Sequence, residues 1–127
     1  MATEETKQKI LIIEDDFFIR ELYEREFRNS GYAVFIASDG AEGLLKIEEE
    51  MPDIVLLDLM LPKLNGLDLL KTVKEKEELK KVPIVILTNV GQEPAIKRGF
   101  ELGAAGYMVK SAYTPQQVVN EVKTYLK

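Results

Sequence analysis

Glu14, Asp15 and Asp16 follow directly on the apolar run Ile10–Ile13, and Asp58 follows directly on Ile54–Leu57. Thr88 closes the apolar run Val82–Leu87, and Lys110 closes Tyr107–Val109. Acids, one hydroxyl and one ammonium thus stand at the ends of separate apolar runs. Carboxylates brought close together repel, and a hard divalent cation relieves that repulsion. With few oxygen ligands, Mg²⁺ that keeps several waters is the natural occupant, and Mn²⁺ is the alternative. A carboxylate beside such a cation is a candidate nucleophile toward phosphorus, which singles out Asp58. Lys110 would add a second positive charge for the transferring group, and the Thr88 hydroxyl could hydrogen-bond a phosphoryl oxygen.

Taken singly, each residue has an ordinary reading. Asp16 suits the N-cap of a helix, and Glu14 and Asp15 suit the positive end of that helix. Thr88 could merely close a strand, and Lys110 could be a surface charge. Asp58 is harder to explain away, because a charge at the mouth of a core strand is costly unless it is paired.

The elements that must position these residues follow from the pattern of apolar positions. Short runs rich in Ile, Val and Leu suit strands buried on both faces. They are Ile10–Ile13, Tyr32–Ala37, Ile54–Leu57, Val82–Leu87 and Tyr107–Val109. Helical spacing links Phe18, Ile19, Leu22, Tyr23 and Phe27 until Asn29-Ser30-Gly31 stops the helix. A second helix, capped from Ser38-Asp39-Gly40, carries Ala41, Leu44, Leu45 and Ile47 and ends at Pro52. Gly66 opens a third with Leu67, Leu70 and Val73, which runs into a charged stretch, Lys74–Lys81, read as a solvated face. A fourth carries Ala95, Ile96, Phe100 and Leu102. The fifth opens on Thr114-Pro115-Gln116-Gln117, which has the form of a capping box, and points Val118, Val119, Val122 and Leu126 inward. Strand and helix alternate five times, which predicts an α/β fold with a parallel sheet and helices on both faces. In such sheets ligands bind outside the carboxyl ends of the strands, where the candidate residues all fall.

Composition narrows the function. The chain has 127 residues, a net charge of −5, and neither His nor Cys. Disulfides, thiolate nucleophiles and His-based triads are excluded, and zinc loses its two favoured ligands. The acidic balance argues against direct nucleic-acid binding. No apolar stretch is long enough for membrane insertion, and Met1 to Lys9 has no signal-peptide character. A cytoplasmic location is the expectation, with one domain over residues 1–127 and a polar tail at residues 1–7.

These features together resemble the response-regulator receiver domain, the phosphoacceptor module of two-component signalling. The resemblance runs from about Ile10 to Leu126. Ile13-Glu14-Asp15-Asp16 resembles its acidic motif, and Ile54 through Pro62 its phosphoacceptor segment, with Asn65-Gly66 opening the next helix. Leu87-Thr88 resembles its hydroxyl position, and Gly103 through Lys110 its lysine segment. Thr88 and Lys110 follow Asp58 by 30 and 52 residues, which also fits.

The resemblance implies a flavodoxin-like (βα)5 sheet of strand order 2-1-3-4-5. It implies that Asp58 is phosphorylated and that Asp15 ligates the metal directly. Glu14 would hold the metal mainly through water, and the backbone carbonyl of Met60 would be a further ligand. Lys110 would contact the phosphoryl group, and Thr88 and Tyr107 would be a switch pair, the ring turning inward. Asp16 matches a less central position.

Phosphate would come from a histidine kinase or phosphotransfer protein, since a chain without His cannot be the phosphohistidine donor. The signal would leave to an unknown output protein through the helix around Ala95–Leu102, the fifth strand and the last helix. Met60 and Val90 are apolar where such side chains border the phosphoryl site, which implies slow autodephosphorylation. The sequence departs from the family at Ser111, which replaces a proline often preceded by a cis bond, and at Asn89, where a small residue is usual. Nothing follows the last helix, so no attached output domain is expected.

Two rival readings stand beside the switch. One is a Mg²⁺-dependent aspartyl-phosphate phosphohydrolase. Haloacid-dehalogenase-like enzymes carry Asp-x-Asp after the first strand, whereas the nucleophile candidate here ends the third and residue 60 is Met. The other is a receiver-like scaffold that is never phosphorylated, for which losses among Asp58, Thr88 and Lys110 would be expected. All three are present.

Overall fold

The computed structural model describes residues 7–89 and 91–126. Most of the polar tail, residues 1–6, and Val90 lie outside the described residues. Five strands alternate with five helices: β1 (Lys9–Ile13), α1 (Phe17–Asn29), β2 (Ala33–Ala37), α2 (Gly40–Glu50), β3 (Ile54–Leu57), α3 (Gly66–Glu75), β4 (Ile84–Thr88), α4 (Glu93–Glu101), β5 (Gly106–Val109) and α5 (Pro115–Val122). The strands form one sheet in the order β2-β1-β3-β4-β5, and every pairing is parallel. The fold is the one expected from the alternating pattern and the resemblance.

Strand residues point alternately to the two faces. Leu11, Ile13, Val55, Leu57, Ile84 and Ile86 pack under α2, α3 and α4 with Ile47, Leu69, Leu70 and Val73. Ile10, Ile12, Ile54, Leu56, Val85 and Leu87 pack under α1 and α5 with Tyr23, Phe27, Val118, Val119 and Val122. Central strands covered on both faces read as unbroken apolar runs for this reason.

Local chemistry sets the helix ends. Asp16 caps α1 by accepting from the Ile19 N–H at 3.0 Å. Asp39 caps α2 by accepting from Glu42 at 2.8 Å. Thr114 and Gln117 form the reciprocal capping box foreseen for α5. Helix α2 ends at Glu50, and Met51 takes a left-handed conformation before Pro52.

Three expectations about side chains are corrected. In α1, Tyr23 and Phe27 are buried, but Phe18 is 79% exposed and Leu22 44%. In α2, Ala41 and Leu45 face outward, and Gly43 takes the inward position against Ile13. A Cβ on Gly43 would lie 2.6 Å from Ile13 Cδ1, so only glycine lets the helix lie this close to β1. Within the charged stretch, Lys74 is half-buried, not merely solvated. Its ammonium donates to the carbonyls of Lys80 and Val82 at 3.0 and 2.9 Å, tying the end of α3 to the approach of β4. Burial holds its pKa below the ordinary lysine value.

Candidate functional site at the carboxyl ends of the strands

The parallel register brings β1 and β3 side by side and carries both to the same edge of the sheet. Beyond the last paired residues, the Glu14 N–H donates to Ala37 O and the Asp58 N–H donates to Ile13 O, each at 3.0 Å. These two bonds extend the ladder by one residue and fix where each acid leaves the sheet. Glu14 and Asp58 are buried at 2% and 5% exposure, while Asp15 is exposed. One carboxylate oxygen from each of Glu14, Asp15 and Asp58 lies within 4.8 Å of the others.

Lys110 reaches the same place from the edge strand β5. Its Nζ donates to Glu14 Oε1 at 2.5 Å and to Asp58 Oδ2 at 3.2 Å. The other Glu14 oxygen accepts from the Asp16 N–H at 3.1 Å, and Asp58 Oδ1 accepts from the Met60 N–H at 3.0 Å. Burial pushes Glu14 above the ordinary carboxyl value of 4.5, opposed by the hydrogen bonds from Lys110 and Asp16 and reinforced by the charge of Asp58. For Lys110 burial works downward. The hydrogen bond to Glu14 and the charges of Asp58 and Glu14 outweigh it and hold the ammonium above its usual value of 10.5.

Three carboxylates facing one ammonium leave two negative charges in a small volume. The donor set is all oxygen, which suits a hard divalent cation. The cluster Glu14, Asp15 and Asp58 therefore fits a Mg²⁺ site by its chemistry.

Thr88 ends β4, the strand next to β3, at 1% exposure. Among the described residues its Oγ1 finds no hydrogen-bond partner. A buried hydroxyl left unpaired is costly, and it stands at the strand end nearest the acids. Thr88 is paired with Val109 in β5, and Tyr107 with Ile86. The pleat therefore turns Thr88 and Tyr107 toward the same side of the sheet, that of α4. Tyr107 is 46% exposed and packs edge-on against Phe100 of α4, with ring centroids 5.9 Å apart.

Gly66 permits the loop after β3 to close tightly. A Cβ there would lie 2.6 Å from Leu59 Cα and 2.8 Å from Asp58 O, both backbone atoms. Asn65 caps α3 by accepting from Asp68 at 3.0 Å, and the Gly66 N–H donates to Leu59 O at 3.0 Å. A groove of about 500 Å³ opens beside the acids, with Asp15 at one edge and Leu59, Met60, Leu67 and Ala95 among its walls. Asn89 and Ser111 are exposed, and no peptide bond among the described residues is cis, including that between Lys110 and Ser111.

The structure thus brings together Glu14, Asp15, Asp58 and Lys110 and leaves Asp16 as a helix cap. One participant was not singled out from the sequence. Arg20, one turn into α1, donates from Nη1 to the backbone carbonyl of Glu14 at 2.9 Å. The signal available was a lone cation one turn into a helix that opens on three acids.

Comparison with known proteins gives a consistent result. Residues 10–123 match the family model described as the response regulator receiver domain. The chain is 40% identical over 120 residues to the alkaline phosphatase synthesis transcriptional regulatory protein PhoP of Bacillus subtilis, covering 94% of this chain and 49% of that protein. It spans about half the length of the curated relatives it matches. The chemotaxis response regulator CheY4 of Vibrio cholerae superposes with a TM-score of 0.87 at 28% identity, covering 95% of this chain and all (100%) of that one. The Mn²⁺-bound form of the response regulator Rcp1 superposes with a TM-score of 0.80 at 26% identity, covering 92% of each chain. No helix among the described residues is long and apolar enough to cross a membrane.

Proposed function

The chain belongs to the response regulator receiver domain family of two-component signalling, and from that premise we propose that it is a phosphoryl-accepting switch charged on Asp58. Receivers are signalling switches rather than turnover enzymes, and response regulators take phosphate from histidine kinases. The proposal extends to residues 1–127 as one receiver unit, to a separate histidine kinase or phosphotransfer protein as donor, and to a cytoplasmic location. The observation that carries it is the Lys110 ammonium set between Glu14 and Asp58, with Asp15 alongside.

Glu14, Asp15, Asp58 and the Met60 carbonyl are the groups that would hold Mg²⁺. When bound, the cation would offset the carboxylate charge and draw a phosphoryl oxygen. Asp58 supplies the electron pair: one carboxylate oxygen bonds to phosphorus as the bond from phosphorus to the donor atom breaks. The donor leaves with the electron pair of the broken bond. Lys110, already aimed at Asp58 Oδ2, stays to balance charge on the phosphoryl oxygens. The groove walled by Leu59, Met60, Leu67 and Ala95 gives a small donor room to approach. The apolar Met60 side chain, 60% exposed, offers nothing to orient a hydrolytic water, which favours a long-lived adduct.

The Thr88 hydroxyl, without a partner among the described residues, is then free to answer the new charge by donating to a phosphoryl oxygen. Its move would open space for Tyr107 to leave Phe100 and turn inward, altering the face made by α4, β5 and α5. An output partner that prefers the inward ring would bind the phosphorylated form more tightly, by its differential affinity for the two states.

Intact-mass spectrometry after incubation with acetyl phosphate and Mg²⁺ tests the assignment. A gain of about 80 Da, one phosphoryl group, is expected in the wild type and not in Asp58→Asn. An undiminished adduct in Asp58→Asn would overturn it.

A further inference from the structure

We infer that Arg20 is a positioning residue for the divalent cation, acting through the peptide bond that joins Glu14 to Asp15. The inference rests on the metal reading proposed above. The Glu14 carbonyl lies just beyond the end of β1, where ladder pairing has stopped: the Glu14 N–H still reaches Ala37, and the next acceptor along β1 is served by a side chain. That side chain is Arg20, whose Nη1 donates to Glu14 O at 2.9 Å.

The guanidinium is itself held. It lies over the Phe17 ring, 5.5 Å from the centroid, and it is half-buried. Helix α1 is anchored in turn by Asp16, which caps it from the acid segment. A short closed circuit results: acid segment to helix cap, cap to Arg20, and Arg20 back to the acid segment.

The peptide plane in question is shared by the two acids. Its carbonyl belongs to Glu14 and its N–H to Asp15, so holding the carbonyl restrains ψ of Glu14 and φ of Asp15, the two torsions that set how the Asp15 side chain is oriented relative to Glu14. Glu14 is fixed at its other end by Lys110 and the Asp16 N–H, but Asp15 is exposed and has no such tether among the described residues. Its placement within 4.8 Å of the other two acids depends on the backbone that carries it. Partners that orient metal ligands without touching the metal commonly set affinity by an order of magnitude or more.

This role makes a prediction opposite in sign to that of simple charge. Arg20 is a cation near the acid cluster. As a mere charge it repels Mg²⁺, so that neutralising it should tighten binding. As a positioning group, its loss should weaken binding.

The experiment is calorimetric titration of the unphosphorylated protein with MgCl₂ alone, on wild type, Arg20→Gln and Arg20→Lys. Folding is checked by far-UV circular dichroism, and the Asp15 amide resonance is followed by NMR without metal. The expected result is Mg²⁺ binding weakened about 10-fold in Arg20→Gln, a smaller weakening in Arg20→Lys, and a displaced Asp15 amide resonance in both. If Arg20→Gln does not fold, Arg20→Lys carries the same test. Unchanged or tighter Mg²⁺ binding in the folded variants overturns the inference and leaves the switch reading intact. Absence of Mg²⁺ binding in the wild type overturns both.

Discussion

Lys110 bridges two acids, donating to Glu14 Oε1 and to Asp58 Oδ2, so one ammonium is shared between the proposed acceptor and a neighbour that is not. Asp58 is thereby left with one carboxylate oxygen on a backbone N–H and the other on a shared cation. Lys110→Met removes the sole ammonium contacting two buried acids among the described residues. Hydrogen bonds to charged groups contribute about 1.5–3 kcal/mol each, and protonation of Glu14 offsets part of the loss, so a net cost of about 2 kcal/mol is expected without metal. Saturating Mg²⁺ should recover more stability in the variant than in the wild type, because binding to the native state alone stabilises it. Paired urea melts with and without MgCl₂ check this.

The raised Glu14 pKa gives a signed pH dependence. Its folded value lies above 4.5, chiefly through burial, so the native state takes up a proton before the unfolded chain does. The stability contributed by this group is fully present below 4.5 and is lost as pH rises through the folded value. Without metal, the stability of wild type relative to Glu14→Gln should therefore increase as pH falls from neutral toward 4.5. Mg²⁺ affinity should fall over the same window, because proton and cation compete for one carboxylate. A pH series of urea melts and Mg²⁺ titrations reads both slopes.

Thr88→Val replaces a buried hydroxyl that is unpaired among the described residues by a methyl of similar shape. Leaving such a group unsatisfied costs about 1–3 kcal/mol, so the unphosphorylated variant should be more stable than wild type, by about 1 kcal/mol. Adduct formation on Asp58 should persist. The response on the α4, β5 and α5 face should shrink, read as smaller hydrogen-exchange changes at Phe100 and Tyr107 upon beryllofluoride addition.

Gly66→Ala would force a Cβ against the backbone of Leu59 and Asp58. Overpacking of this kind costs about 1–3 kcal/mol, and here the atoms that must give way include the backbone of Asp58, the proposed acceptor. The variant should lose stability and accept phosphate more slowly. Gly43→Ala presses on the end of the Ile13 side chain instead, and serves as the comparison: a similar loss of stability with a smaller effect on the phosphorylation rate.

The strands and their terminal acids were legible because burial on both faces leaves an unbroken apolar run, and a charge at its end stands out. Ile54–Leu57 followed by Asp58 is the clearest case. Helix faces were less legible. Phe18 and Leu22 were read on one helical pattern with Tyr23 and Phe27, and spacing alone does not say which arc meets the sheet. Gly43 went unnoticed because its contribution is the side chain it lacks. Lys74 and Arg20 were hidden for a related reason: both bind backbone carbonyls, and carbonyls leave no trace in residue identity.

The Glu14–Lys110 contact spans 96 residues of chain, and the strand that delivers the lysine is at the edge of the sheet. Synthesis proceeds from the N-terminus, so a polypeptide emerging from the ribosome presents Glu14, Asp15 and Asp58 well before the ammonium of Lys110. Glu14, Asp15 and Asp58 come together when β1 pairs with β3, and the chain's own counter-charge joins them only when β5 docks. A nascent chain stalled ahead of residue 110 would display Asp58 without the ammonium that contacts it in the folded protein.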